Sequence, residues 1–134
     1  MRVGIVGSRR RKDEQNVKAL VETLLPEEDI VVSGGCKGVD TWAAVAARTL
    51  GLVVTEHFPA LAGCKTRFEA VKAYYARNRE IVKDSDVVVA FVSGDRKGGT
   101  ENTIKHANEL GVKVVVVPPG TTVTREALER EEEA

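Results

Sequence analysis

The sequence predicts an α/β protein, a three-layer Rossmann-like fold built on a doubly wound parallel sheet of about five strands. Two observations predict it. Five short runs, "RVGIVG", "DIVVSG", "LVVTEHF", "DVVVAFVSG" and "VKVVVVPPG", are apolar without alternation, as strands buried on both faces are. The segments between them carry apolar residues at helical spacing, and strands alternating with helices assemble through right-handed crossovers. At 134 residues the chain fits one domain. We read it as residues 1–120, followed by a charged helix or tail over 121–134 that packs loosely or not at all.

The helices follow in order. Val17, Leu20, Val21 and Leu24 recur at i, i+3, i+4, i+7, which predicts a helix capped by Asp13 and stopped by Pro26. Val39, Trp42, Ala43, Ala46, Ala47 and Leu50 form the next stripe, with Gly51 as a left-handed C-terminal cap. Phe68, Val71, Tyr75 and Val82 share a third face, but Asn78 sits near its middle. A buried amide needs partners, so a break is expected near Ala76 with a restart at "RNRE". Ile104, Ala107 and Leu110 make the fourth stripe, ended by Gly111. Trp42 and Phe68 read as core, and His106 as a helix-surface residue.

Composition narrows the function classes. With 43% hydrophobic but only 4% aromatic residues, the core must be filled by Val, Ala and Leu. Twenty basic and twenty acidic residues cancel, so global charge gives no argument for nucleic acid. The cancellation hides a basic start, "GSRRRK", and an acidic end, "REALEREEEA". Two cysteines make neither a disulfide framework nor a metal cluster, and no metal site is expected. No run approaches the roughly 18 apolar residues of a membrane span, and the first residues lack a signal peptide's apolar core. A cytoplasmic protein without membrane contact is expected.

The unusual loops all follow strands. "GSRRR", "SGGCKG", "EHFPA", "SGDRKGGT" and "PPG" lie at strand C-termini, while the opposite connections are short and plain. Ligands of open α/β sheets bind outside the strands' carboxyl ends, where strand order reverses. Ser33, Gly34, Gly35, Lys37 and Gly38 offer backbone N–H groups, a nearby helix start and a positive charge, a combination that attracts an anion. Asp40 caps the following helix or holds a ribose or base hydroxyl. Ser93, Gly98, Gly99 and Thr100 repeat the design, with Thr100 as the expected N-cap. Gly7 and Ser8 suit close approach, and Arg9 to Arg11 are either a charged site or a solvated surface. Cys36 reads as a small filler, and His57 as a strand-end residue near the ligand edge. There is no G-x-G-x-x-G and no G-K-[ST], so neither the dinucleotide fingerprint nor the P-loop is present.

Taken in order, "GSR", "VVSGGCKGVD", "ARNREIVKDSDVVVAFVSG" and "GGTENTIKHANELGVKVVVV" resemble the SMF/DprA–LOG (SLOG) superfamily, and most of all its small stand-alone YspA-like proteins. The resemblance runs from Arg2 to about Pro118. It implies a Rossmann-like sheet and a site for a nucleotide or nucleotide-derived ligand, with no other cofactor identified. Phosphate is expected between the "SGGCKG" and "GGT" loops, above Gly7 and Ser8. Arg77 or Arg79 would donate to the anion, while Asn78 would order a loop, read a base or serve as a satisfied core amide. The resemblance leaves three functions open: a sensor or carrier module, a hydrolase of nucleotide N-glycosidic bonds, or a DprA-like binder of single-stranded DNA. It also implies a homo-oligomer. The hydrolase members carry P-G-G-x-G-T-x-x-E. Here Ser93-Gly94-Asp95 replaces P-G-G and Thr103 stands where the acid belongs, with Glu101 two residues early.

Overall fold

The computed structural model describes residues 1–24 and 28–130. Strands β1 (Arg2–Gly7), β2 (Ile30–Ser33), β3 (Val53–Glu56), β4 (Val87–Phe91) and β5 (Lys113–Val117) form one parallel sheet in the order β3-β2-β1-β4-β5. The order reverses between β1 and β4, so the C-terminal ends of those two strands border the crevice of the fold. β4 is buried at every position, but β3 and β5 are partly exposed. The apolar runs predict burial on both faces; the two exceptions are the sheet's edges.

Alternation along the strands divides the core. Val3, Ile5, Val31, Val87, Val89 and Phe91 meet α1 (Glu14–Glu22) and α2 (Val39–Thr49) on one face. Val6, Val32, Val88, Ala90 and Val92 meet α3 (Arg67–Lys83) and α4 (Gly99–Leu110) on the other. Two crossovers run each way from β1, which places two helices on each face and makes three layers. Helix ends follow glycine as expected: Gly51 and Gly111 adopt φ of +80° and +70°. Asp13 occupies the N-cap position of α1 without capping it, because Arg11 and Asn16 engage its carboxylate. Pro26 lies outside the described residues.

Three further expectations are corrected. α3 runs unbroken through Ala76, because Asn78 finds partners in Gly99 O (3.4 Å) and Asn102 Oδ1 (3.2 Å) and the amide carries no unmet cost. Phe68 is 69% exposed, since the buried side chains of α3 are confined to its C-terminal half: Arg77, Asn78, Ile81 and Val82. His106 is largely buried rather than on the surface, and neither ring nitrogen has a hydrogen-bond partner among the described residues. It follows Asn102 at helical spacing, on the side of α4 that faces α3. Trp42 is half-buried against the core.

The described part of the C-terminal segment, up to residue 130, packs against the domain. α5 (Arg125–Glu129) buries Leu128 in the core, Arg125 pairs with the buried Asp29, and Lys113 Nζ donates to the carbonyls of Ala127, Leu128 and Arg130. A lysine at a helix C-terminus satisfies carbonyls that have no partner inside the helix.

Arg11 is structural. It is 5% exposed, donates from Nη1 to Val92 O (3.0 Å) and Val117 O (2.6 Å), and lies over the Phe91 ring. It thus ties together the ends of β4 and β5. Its hydrogen bond to Asp13 holds that carboxyl down at about 2. Arg11→Met is expected to cost about 2 kcal/mol, on the order of one buried charged hydrogen bond. Urea unfolding checks this, and a change below about 0.5 kcal/mol, the range of plain surface substitutions, would contradict it.

Candidate functional site

The crevice at the β1/β4 reversal opens into a cavity of about 480 Å³, within the ordinary range for small-molecule sites. Four segments line it. The β1–α1 connection supplies Gly7, Ser8, Arg9 and Arg10, and the start of α2 supplies Cys36 and Asp40. α3 contributes Val71, Tyr74, Tyr75, Arg77, Asn78 and Ile81, while Lys97, Gly98, Gly99, Thr100 and Thr103 come from the start of α4.

Of the residues singled out by sequence, the structure brings together Gly7, Ser8, Arg9, Asp40, Arg77, Asn78, Gly98, Gly99 and Thr100. Ser33, Gly34, Gly35, Lys37, Gly38, Arg79 and Ser93 do not line the cavity. Each has a local reason: Gly38, at φ +90°, takes the cap position of α2. Gly34 makes room for its neighbours: a Cβ there would stand 2.9 Å from both Arg77 Nη1 and Asp40 Oδ2. Gly35, at φ +71°, has the Phe58 ring against it. Ser33 Oγ donates to Asp40 O, and Ser93 Oγ donates to Asp95 Oδ1, so both hydroxyls shape their own loops. Lys37 is exposed. Arg79 points to Glu109.

The two glycine loops have different amide chemistry. In the loop after β2, Gly35 N donates to Ser33 Oγ and Cys36 N donates to Asp40 Oδ2 at 3.2 Å. Those two amides are spent, while Lys37 N and Gly38 N, which bond to no described residue, belong to residues outside the cavity lining. At α4 the helix begins at Gly99 with Gly98 in the cap position, so Thr100 sits inside the first turn and does not cap it. The amides of Gly98, Gly99 and Thr100 bond to no described residue, as expected at a helix start.

Arg77 and Asn78 join the loops. Arg77 is 7% exposed and donates to Gly34 O (2.5 Å), Asn78 Oδ1 (3.0 Å) and Cys36 Sγ (3.3 Å). Tyr74 stacks under its guanidinium at 5.6 Å. Asn78 then reaches Gly99 O. Two adjacent side chains of one helix thus fix the distance between the α2 and α4 starts.

Charge at the mouth is sorted in the same way. Arg10 pairs with Asp95, and Arg96 makes a two-pronged pair with Glu101 (both 2.9 Å). The side chains of Arg9 and Lys97 bond to no described residue. Inside, Asp40 is the single carboxylate among the lining residues. Burial raises it to about 6, against the opposing effects of the Cys36 N–H and the charges of Arg77 and Arg9. Glu101, the misplaced acid of the hydrolase motif, is held by Arg96, and Thr103 faces the cavity.

Sequence reasoning missed the cavity roles of Cys36, Val71, Tyr75, Ile81 and Thr103. The aromatic and apolar members look like core positions by spacing. One local signal was readable: Thr66-x-x-Glu69 is a capping signature, and Thr66 Oγ1 accepts Glu69 N while Glu69 Oε2 accepts Lys65 N. It fixes where α3 starts and so which residues reach the cavity. His57 does not line the cavity; its Nε2 lies 2.8 Å from Asp84 Oδ2. Among the described residues no cluster of His, Cys, Asp or Glu could hold a metal ion, and no helix is long and apolar enough to cross a membrane.

No protein-family model and no curated protein matches the chain. Among solved structures it is similar to DNA processing protein A (DprA) from Streptococcus pneumoniae, at a TM-score of 0.72 and 23% identity. The match covers 95% of this chain and 52% of that one, so this chain spans about half the length of its structural neighbour. The likeness shows a shared fold: the α/β Rossmann-like parallel sheet.

Proposed function

We propose that this protein binds a phosphate-bearing small molecule of nucleotide type in the β1/β4 cavity, as a sensor, carrier or regulatory module. One observation carries the reading. The unspent amides of Gly98, Gly99 and Thr100 and the unpaired cations of Arg9 and Lys97 converge on one cavity at the point of strand reversal. Helix-start amides and uncommitted cations are what an anion requires. The motif likeness to the small YspA-like proteins agrees with it. The hydrolase alternative is the weaker reading, since Thr103 replaces the motif acid and Glu101 is engaged elsewhere.

A specific observation favours a second reading, single-stranded nucleic acid binding. Four of the six aromatic residues fall between Phe58 and Tyr75, and Phe58, Phe68 and Tyr75 are 67%, 69% and 45% exposed. Lys65, Arg67 and Lys72 lie among them, with Lys72 over the Phe68 ring. Exposed rings interleaved with cations are the components of a stacking platform, and the structural neighbour is a DNA processing protein.

Thermal-shift and calorimetric titration with nucleoside mono-, di- and triphosphates tests the first reading. Binding is expected, and Arg9→Ala with Lys97→Ala should weaken it by about tenfold or more, the value of one charged hydrogen bond. Single-stranded oligonucleotides test the second. Affinity that falls with salt, and that Phe68→Ala and Tyr75→Ala weaken while the loop changes do not, would favour strand binding.

A further inference from the structure

We infer that Asp40 reads a hydrogen-bond donor on the ligand, and that the ligand therefore carries, beside its anionic group, the vicinal hydroxyls of a sugar. This rests on the anion-binding reading above and adds the ligand's second functional group.

The geometry comes from the first turn of α2. Asp40 is 7% exposed and lines the cavity. Its Oδ2 takes the Cys36 N–H at 3.2 Å, the Cys36 thiol lies near the same carboxyl, and no other described residue donates to Oδ1. Oδ1 is also not among the sealed, partnerless atoms of the described residues, which are the His106 nitrogens. It therefore opens toward the cavity. Arg77 stands beside it, but three of its five N–H donors go to Gly34 O, Cys36 Sγ and Asn78 Oδ1 and none bonds to Asp40.

A nearly buried carboxylate oxygen without a partner accepts only from a donor, and leaving it unmet is costly. Phosphate would be repelled there, so the anion belongs to the Arg9, Lys97 and α4 end. In a nucleotide the donor pair nearest the phosphate is the sugar diol, while base amines lie farther out. The cavity has no second carboxylate to share the task.

Calorimetry on the full chain tests this with three probes: the four ribonucleoside 5′-monophosphates, their 2′,3′-dideoxy counterparts, and inorganic phosphate. At least one ribonucleotide is expected to bind about tenfold or more tighter than its dideoxy form, as loss of hydrogen bonds to a charged acceptor predicts. Asp40→Asn should shrink that preference without weakening inorganic phosphate binding, since the acid gives the anion no hydrogen bond and its charge opposes it. Equal binding of ribo and dideoxy forms, with phosphate still bound, overturns the Asp40 assignment and leaves the anion site standing. So does an undiminished preference in folded Asp40→Asn. Failure of every probe to bind overturns the anion site and this inference with it. The wild-type comparison decides alone should the variant not fold.

Discussion

Arg77→Met is expected to lower the free energy of unfolding by about 3 kcal/mol, the upper end for a hydrogen bond made by a charged group. The same change should abolish ligand binding. Both effects come from position. The guanidinium ends on Gly34 O, Cys36 Sγ and Asn78 Oδ1, so its removal leaves a buried carbonyl unpaired. It also takes away the positive charge beside Asp40. Arg77→Lys should not rescue, because one ammonium cannot reproduce three bonds fanned from a planar group. Chemical denaturation and ligand titration on the same samples measure both effects. A variant as stable as the parent would show that the loops are held apart by something other than this side chain.

Asp40→Asn is expected to act in the opposite direction on stability. Asp40 is raised from 3.8 to about 6, chiefly by burial. Below pH 3.8 the group is protonated in both the folded and the unfolded chain, and its ionisation costs the fold nothing. As pH rises through 6 the folded chain must ionise a group it holds away from water, at a cost of about 3 kcal/mol. The parent should lose that stability between about pH 4 and pH 6.5, while Asp40→Asn should not. Asparagine keeps an oxygen for the Cys36 N–H. The cations that act on Asp40 are Arg77 from α3 and Arg9 from the β1–α1 connection, and a guanidinium is cationic throughout this range. Urea unfolding at pH 4 and pH 7.5 is the check: equal stability at the lower pH, and a more stable variant at the higher. A variant less stable at pH 7.5 would mean that ionised Asp40 supports the fold.

The sheet was legible because Val-rich runs without alternation have few other uses, and because Gly51 and Gly111 end their helices in the conformation glycine favours. The course of α3 was not. Asn78 reads as a break when its partners are unknown, and Gly99 and Asn102 lie 21 and 24 residues away in sequence. Glycine-rich loops could be located from sequence, but not the atoms they serve. Gly34 leaves room for Asp40 and Arg77 beside it, and its carbonyl meets Arg77 across 43 residues. The run Arg9-Arg10-Arg11 shows the same limit. One faces the cavity without a partner, one pairs with Asp95, and one holds two strand ends. Three identical side chains take three roles that only the packed sheet distinguishes. Phe68 reads as core by spacing and is exposed because the almost fully buried residues of α3 all lie in its C-terminal half.

The amide proton–nitrogen NMR spectrum during titration with inorganic phosphate, then with a nucleoside monophosphate, is the most direct test of the anion site. The shifts should concentrate at Gly98, Gly99 and Thr100, with Arg9 following, while Gly35 and Cys36, whose amides are already bonded within their own loop, move little. Shifts centred on Gly35 and Lys37, or spread without focus over the surface, would contradict an anion site at the start of α4.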